Sequence, residues 1–288
     1  MDSARPPVRE LDRRSAAAVG RHARLELVFD ERNGRTVVTH AYAEPPLRIG
    51  RTFDVDGAAY LILVCSAPGV FAGDILHQRV TVRGGARVLL ASQSALQVHP
   101  SDAQAPATVR HEYCVETGGE LHCQWDPVIP FADARLVQRF DLDVAPESRF
   151  YWSDGLMAGR ASRGEAWQFA TLDHQLRFSV GTALRYLERY DVRPAARAPW
   201  RPWLLGDAHY AGTALVHHDA ATSAAAERLH RRVADVSGVH ASVDLAEPGL
   251  LVARFLATSG SPFARVRSTF RDGALADVFQ SPQLLARR

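Results

Sequence analysis

Two acidic side chains in a glycine-rich stretch are the first candidates for chemistry in this sequence. Asp154 and Glu165 lie eleven residues apart, and the residues between them include three glycines and the basic side chains Arg160 and Arg163. A pair of carboxylates can hydrolyse a glycosidic bond, one as general acid and the other as base or nucleophile. A carboxylate beside a glycine turn more commonly faces solvent or pairs with an arginine. The pair alone leaves a glycosidase and a structural role open.

Three cysteines, Cys65, Cys114 and Cys123, are the next reactive side chains. The Gly118-Gly119 pair predicts a hairpin in which Cys114 lies opposite Cys123, with Cβ atoms roughly 4.5 to 5.5 Å apart. Such thiols would form a cross-strand disulfide, offer a metal two soft ligands, or simply pack as small buried side chains. Three cysteines are too few for a disulfide framework in a chain of 288 residues, which indicates a reducing compartment.

The composition excludes several classes of function. All 34 basic residues are arginine, so lysine Schiff-base chemistry with pyridoxal phosphate and a phosphate-loop lysine are excluded. The formal charge is only +2, which argues against nucleic acid or an anionic membrane as partner. The longest apolar runs have about eight residues, well short of the roughly 20 that cross a bilayer, and no secretory signal is evident. We therefore expect a cytoplasmic protein.

Short segments rich in β-branched and aromatic residues indicate the fold class. From about residue 24 to residue 180 they recur at intervals near ten residues, separated by glycine pairs and prolines, which is typical of an all-β protein. Asn33-Gly34 predicts a tight hairpin between the first two strands. The later predicted strands are 60–65, 75–82, 86–91, 108–116, 120–125, 136–144, 150–152, 167–173 and 175–180. No long helix interrupts them, which disfavours a doubly wound parallel sheet.

The pattern of residue types along the sequence changes after Pro194. Asp219 is expected to cap an amphipathic helix over residues 220–236, and a second short helix is predicted within 259–271. We therefore predict a flexible N-terminal segment 1–23, a β-rich body 24–195, and a C-terminal part 196–288 whose one or two helices complete the same fold.

An ordered set of short motifs resembles the UreD family of urease accessory proteins, also called UreH. The resemblance extends from about residue 24 to residue 192 and is looser beyond. Its motifs are Asn33-Gly34-Arg35-Thr36, Pro45-Pro46-Leu47-Arg48, Pro68-Gly69-Val70-Phe71-Ala72-Gly73-Asp74, Gly84-Gly85-Ala86, Ser92-Gln93-Ser94-Ala95, Trp125-Asp126-Pro127, Ile129-Pro130-Phe131, Ala134-Arg135, and Gly159-Arg160 with Gly164-Glu165. Six positions stand for the family motif: Gly69, Gly73, Gln93, Gly159, Arg160 and Gly164.

The chain departs from the family pattern at three places. Pro68 stands where the family usually has the first of two glycines. Leu96-Gln97 and His99-Pro100 replace a threonine-lysine and a tyrosine-arginine pair. Asp154 stands for the usual glutamate before the Gly-Arg motif, which keeps the charge but shortens its reach.

The resemblance implies a mainly β protein of β-helix-like layered sheets with a small α-helical C-terminal part. It further implies a non-enzymatic scaffold for nickel insertion, with no tightly bound cofactor and nickel only in transit. The implied partners are apo-urease, a helical accessory protein of the UreF type, and a GTP-hydrolysing nickel metallochaperone of the UreG type. No nucleic acid and no membrane are expected among the partners.

Four carboxylates follow from the resemblance as candidates for a metal path or for structural pairing with arginine: Asp74, Asp154, Glu165 and Glu188. Nickel in transit needs oxygen or nitrogen ligands that guide it and still release it, a role that buried carboxylates suit. Two alternatives stay open. One is a β-rich glycosidase that uses Asp154 and Glu165, and the other is a plain protein-binding module with an exposed apolar patch.

Overall fold

The computed structural model describes residues 20–102, 105–196 and 205–281. Most of the predicted flexible segment 1–23 lies outside them, and the first strand begins at His22. The strands are β1 His22–Arg32, β2 Arg35–Ala43, β3 Leu47–Ile49, β4 Phe53–Val55, β5 Ala58–Cys65, β6 Ile75–Val82, β7 Arg87–Ser92, β8 Gln97–Val98, β9 Ala107–Val115, β10 Glu120–Gln124, β11 Ile129–Pro130, β12 Arg135–Val144, β13 Arg149–Met157, β14 Thr171–Val180, β15 Ala183–Val192, β16 Tyr210–His217, β17 Val239–Glu247 and β18 Leu250–Ala257. The α-helices are α1 Ser223–Ala234 and α2 Gly260–Asp277, and residues Ala161–Arg163 form a 3₁₀ turn.

Two large sheets face each other across the core. Sheet A has the strand order β15-β14-β12-β9-β6-β1-β2, and sheet B has the order β17-β18-β16-β13-β10-β7-β5-β3, with β4 paired to β5. From β5 to β14 the chain crosses repeatedly between the sheets, and each strand from β6 onward except the short β8 pairs in parallel with a strand of the preceding turn. This is a β-solenoid, so the predicted β-helix-like layered fold is confirmed.

Antiparallel strands close the solenoid at its ends. The predicted hairpin at Asn33-Gly34 is confirmed: β1 pairs with β2, and the two turn residues have φ angles of 55° and 76°. Two positive φ angles match the twist of the flanking strands. At the other end β15 returns against β14 in sheet A, and β16, β18 and β17 extend sheet B.

Alternation along the strands produces two apolar layers. Inward residues such as Leu27, Phe140 and Trp152 fill the space between the sheets. The opposite face of sheet B packs against the helices, with Leu229 of α1 and Phe270 of α2 fully buried. The central sheet B strand β13 is therefore buried on both faces along Phe150, Tyr151 and Trp152.

The predicted hairpin at Gly118-Gly119 is wrong. β9 belongs to sheet A and β10 to sheet B, so these glycines form a corner between the sheets rather than a reversal within one. The N–H of Gly85 donates to the carbonyl of Gly118 over 3.2 Å, which stacks two successive corners. A glycine pair permits either geometry. Because β9 and β10 each pair in parallel with other strands, these two glycines form a corner. Cys114 and Cys123 consequently lie in different sheets and are unpaired.

The C-terminal elements differ in detail from the prediction. α1 is capped by Thr222, whose Oγ1 accepts the N–H of Ala225, and not by Asp219. α2 continues six residues beyond the predicted end, to Asp277. The strands β15 to β18 were not predicted, and the predicted strand 167–173 is wrong at its start because Trp167 has a φ of 58°. Neither described helix is long and apolar enough to span a membrane.

Thiol labelling tests the sheet assignment of the two cysteines. Cys114 is exposed on the outer side of sheet A, whereas Cys123 is fully buried between the sheets. We expect a thiol reagent to modify Cys114 in the native protein and Cys123 only after unfolding, and Cys114→Ser to remove the native reaction at that position. Equal reactivity of both thiols, or a disulfide between them, would contradict the corner at Gly118-Gly119.

Candidate functional site

The register of sheet B places three polar residues in one row on its inner face. Asp154 of β13 lies beside Thr213 of β16, and Thr213 lies beside Arg254 of β18. Alternation explains their direction, since Trp152 two residues before Asp154 also points between the sheets. Glu188 of β15 approaches the same row from sheet A, where its carboxylate contacts Thr213 and Arg254.

Two cavities meet at Asp154. The first, which we name the Gln93 cavity, has a volume of about 160 Å³ and is lined by Gln93, His111, Asp126 and other residues. The second, the Arg254 cavity, has a volume of about 570 Å³ and is lined by Glu188, Asp191, Arg254 and others. Asp154 and Gly155 line both cavities, so they form the wall between them.

The surroundings of Asp154 disfavour its ionised form. Burial and, to a lesser degree, the charge of Glu188 raise the pKa of Asp154 to about 7. The guanidinium of Arg267, the indole of Trp152 and the guanidinium of Arg254 act in the opposite direction. The Trp152 side chain is fully buried, and its indole N–H has no acceptor within hydrogen-bond distance among the described residues. Asp154 is thus a carboxyl group that exchanges a proton near neutral pH.

Glu188 is held by a dense set of donors. Its side chain is 6% exposed, and its Oε1 accepts a hydrogen bond from Arg254 Nη1 at 2.7 Å. The hydroxyl of Thr213 lies 3.1 and 3.2 Å from the two oxygens, and the Tyr186 hydroxyl donates to Oε2 over 3.1 Å. Arg254 also donates to the Tyr186 oxygen. The network sets the Glu188 carboxylate beside a guanidinium, in the geometry of a charge-assisted hydrogen bond.

A second polar series lines the inner face of sheet A. His111 Nδ1 lies 3.1 Å from the Tyr113 hydroxyl, which donates to Gln78 at 2.9 Å. Further along, His174 Nδ1 lies 3.1 Å from Oε1 of the Gln138 side-chain amide. Burial lowers the pKa of both histidines to about 3, so both rings are neutral. The interior between the sheets therefore presents amide oxygens and neutral imidazoles close to the two cavities.

Helix α2 fixes the strand that carries Asp154. The ring of Phe263 packs directly on Gly155 and on its cross-strand neighbour Gly212, where an added Cβ would lie 2.7 and 2.8 Å from the ring. Only glycine permits this approach without displacement of the ring. The buried Arg267 donates to the Trp125 carbonyl and to Ser153 Oγ, the latter over 3.0 Å, which ties the helix to the ends of β10 and β13.

The other predicted carboxylates lie elsewhere and have structural partners. Both oxygens of Asp74 accept backbone N–H groups, from Arg21 at 2.8 Å and Phe71 at 2.9 Å. Glu165 forms a two-pronged ion pair with Arg160, with Nε donating to Oε2 over 2.7 Å. These contacts stabilise turns, and neither Asp74 nor Glu165 lines the two cavities that meet at Asp154.

The family-motif residues are explained mostly by backbone geometry. Gly69, Gly73, Gly159 and Gly164 all have positive φ angles. At Gly159 an added Cβ would lie 2.6 Å from the Glu165 carbonyl oxygen, so the turn closes only around glycine. Arg160 covers the Phe131 ring at 3.9 Å, and Gln93 lies exposed at the mouth of the Gln93 cavity.

The departures from the family pattern pack against one another. The imidazole of His99 stacks on Phe71 with ring centroids 4.2 Å apart, and its Nε2 lies 3.2 Å from the Pro68 carbonyl oxygen. The Gln97 carbonyl oxygen accepts the N–H of Val70 over 2.9 Å. These positions form one compact turn beside the Gln93 cavity, to which Pro68 and Gln97 contribute walls.

Several site residues escaped the sequence analysis. Arg254, Thr213 and Tyr186 belong to strands that were not predicted, and nothing in their local sequence distinguishes them. His111 and His174 lie in predicted strands, but their inward direction depends on which alternating face is buried. The signal that would have identified these histidines is a polar residue on the same alternating face of a strand as buried Leu and Phe residues.

The geometry defines a class: a mainly β protein of two layered sheets with a polar interior between them. Among the described residues, no group of three or more His, Cys, Asp or Glu side chains is arranged to hold a metal ion. The family model described as "UreD urease accessory protein" matches residues 21–287. The chain therefore belongs to the UreD family of urease accessory proteins.

Individual relatives agree with this assignment. The chain is 30% identical over 273 residues to a urease accessory protein UreD of Deinococcus radiodurans, a match that covers 93% of this chain and 95% of the relative. It is 34% identical over 155 residues to a UreD of Trichodesmium erythraeum and 32% identical over 180 residues to one of Sorangium cellulosum. Those two matches span only 56% and 57% of the relatives' lengths.

The pH dependence of stability tests the burial of Asp154. Because the pKa of Asp154 rises from 3.8 to about 7 on folding, the native state binds more protons than the unfolded state in that range, and stability falls as pH increases through it. Asn cannot ionise, so Asp154→Asn should remove this decline. We expect urea denaturation to show that the free energy of unfolding of Asp154→Asn, relative to that of the native protein, increases between low and neutral pH by at most about 4 kcal/mol.

The matched control is Asp191→Asn, which removes an exposed carboxylate that lines the Arg254 cavity and pairs with Arg193. A difference between Asp154→Asn and the native protein that stays constant from low to neutral pH would contradict the burial of the Asp154 carboxyl group.

Proposed function

We propose that this protein is a urease maturation factor that performs no bond chemistry itself. In this proposal it binds apo-urease together with a helical accessory protein of the UreF type and a GTP-hydrolysing metallochaperone of the UreG type. Its own part is to help insert nickel into urease by letting the ion pass through the interior between the two sheets. Nickel is the cargo of this process and not a resident cofactor.

The observation that carries the proposal is the meeting of two cavities at Asp154. One cavity opens beside Gln93 and the other beside Arg254, and a single partly buried carboxylate lies on the wall between them. An interior filled only for stability would place an apolar side chain at such a position, because an unpaired buried carboxylate costs free energy. A polar group retained at this point is consistent with a role in passing an ion from one cavity to the other.

The chemistry of the lining residues suits nickel in transit. Divalent nickel binds carboxylate oxygen and neutral imidazole nitrogen, and both occur here in Asp154, Glu188 and His111. His111 is neutral, so no proton has to leave before its ring can bind. Asp154 and Glu188 line the same cavity, but the described residues contain no group of three or more ligands arranged to hold a metal ion, which favours brief contacts over permanent binding.

The two alternatives receive less support. A glycosidase needs two carboxyl groups across a shared cleft, but both Glu165 oxygens are engaged by Arg160 while Asp154 lies in the interior. A plain protein-binding module would use exposed apolar residues, and Leu184 and Leu187 on β15 are 47% and 54% exposed. That feature is compatible with the scaffold role and does not account for the polar interior.

Urease activation in reconstituted cells tests the proposal. The chain is co-expressed with urease subunits and the remaining accessory proteins, and the purified urease is assayed for nickel content and urea hydrolysis. We expect the double variant Asp154→Asn, Glu188→Gln to assemble normally but to lower both values by about tenfold or more, as loss of metal-binding oxygens does elsewhere.

The variant Asp191→Asn serves as control because it keeps both interior carboxylates. Full activation by the double variant would contradict passage through the interior and leave a binding module as the better account. Failure of the native chain to associate with urease or to influence its activation would overturn the maturation role itself.

A further inference from the structure

A cation already occupies the position beside Glu188. The Arg254 guanidinium places Nη1 2.7 Å from Glu188 Oε1 and 3.2 Å from Thr213 Oγ1, and Nη2 donates to the Tyr186 oxygen. Glu188 and Arg254 both line the Arg254 cavity, which also contains Asp154. Three donors converge on the Glu188 carboxylate, which is 6% exposed. An ion that enters from this cavity therefore finds the carboxylate already hydrogen-bonded.

Arg254 competes with any other cation for this carboxylate. Charges of the same sign about 4 Å apart repel each other, and a divalent ion is repelled by the guanidinium more strongly than a monovalent one. Nickel therefore binds Glu188 more tightly once the guanidinium has moved away. The equilibrium between the two cations therefore sets the affinity of this end of the interior.

The Arg254 side chain can leave without disruption of the core. It is 50% exposed, although its partner Glu188 is buried. Arginine has a long, flexible aliphatic stem, so the guanidinium can rotate into solvent while the stem stays on the strand. The Tyr186 ring, 5.9 Å from the guanidinium carbon, supports the closed position and does not cover it.

We infer that Arg254 is an internal competitor for divalent cations, which lowers the affinity of the Asp154 and Glu188 pair for nickel in the free protein. The inference rests on the proposed passage of nickel through this interior and names the residue that regulates it. Arg254 then promotes the release of nickel, since a site with two free buried carboxylates would retain the ion.

Nickel titration of the purified chain tests the inference. The probe is Ni²⁺ alone, measured by calorimetry with the native protein, Arg254→Gln, and Arg254→Gln combined with Glu188→Gln. We expect Arg254→Gln to bind nickel at least about tenfold more tightly, because glutamine fills part of the space without the charge. The added Glu188→Gln should cancel the gain.

The matched control is Arg185→Gln, which removes an arginine that pairs with Glu247 and does not line this cavity. Its nickel affinity should equal that of the native chain. If Arg254→Gln is too unstable to purify, Arg254→Lys offers a second test. Lysine keeps the charge but loses the planar contact with Glu188 and Thr213, so we expect an affinity between those of the native chain and a chain without the charge.

A competition experiment separates this role from a merely structural one. In Arg254→Ala, guanidinium chloride at millimolar concentration should weaken nickel binding by occupying the vacated position, and it should have no such effect on the native chain. Unchanged nickel affinity in Arg254→Gln, or a gain that persists after Glu188→Gln, would overturn the inference.

The outcomes also distinguish this inference from the proposed function. A gain in affinity that Glu188→Gln cancels supports the role of Arg254 even if Asp154→Asn has no effect on urease activation, a result that would count against nickel passage alone. An unchanged affinity in Arg254→Gln combined with a loss of activation by the carboxylate variants would overturn only the competitor role.

Discussion

The charge balance between the two sheets is the constraint on which the site depends. Asp154 and Glu188 place two carboxylates in an interior of low dielectric constant, and one half-exposed guanidinium, that of Arg254, pairs directly with Glu188. Burial and, to a lesser degree, the charge of Glu188 raise the pKa of Asp154 to about 7, whereas Arg254 acts in the opposite direction. A protein selected only for stability has little reason to keep this arrangement. This arrangement therefore supports placing the proposed function in this region rather than at the surface.

The solenoid supplies the geometry that the charge balance requires. At its C-terminal end, the antiparallel strands β16 and β18 pair in register with the last solenoid strand of sheet B, β13, so that Asp154, Thr213 and Arg254 become neighbours although they span 101 residues. The antiparallel return of β15 then sets Glu188 opposite this row. Phe263 and Arg267 of α2 hold the other face of β13 in place. The C-terminal helix is therefore part of the framework of the site, although it contributes no lining residue to the Arg254 cavity.

The sequence predicted the fold class and the strands with regular alternation. The strand at 75–82 was placed without error, and the Asn33-Gly34 turn was identified because two positive φ angles require such residues. Topology was harder, since Gly118-Gly119 suits a hairpin and a solenoid corner equally well. Asp154 and Glu188 were chosen through the family resemblance, whereas Arg254 was missed. Its role arises from a partner 66 residues away, and no local pattern encodes such a pairing.

Anomalous X-ray diffraction at the nickel absorption edge tests the central claim most directly. Crystals of the Arg254→Gln variant would be soaked in a dilute nickel salt, and the anomalous difference map would locate the ion without assumptions about its ligands. The account predicts a peak within coordination distance of the Glu188 and Asp154 carboxylates, between the two sheets. Peaks confined to histidines on the outer surface, with none in the interior, would contradict the claim that this interior carries the cation.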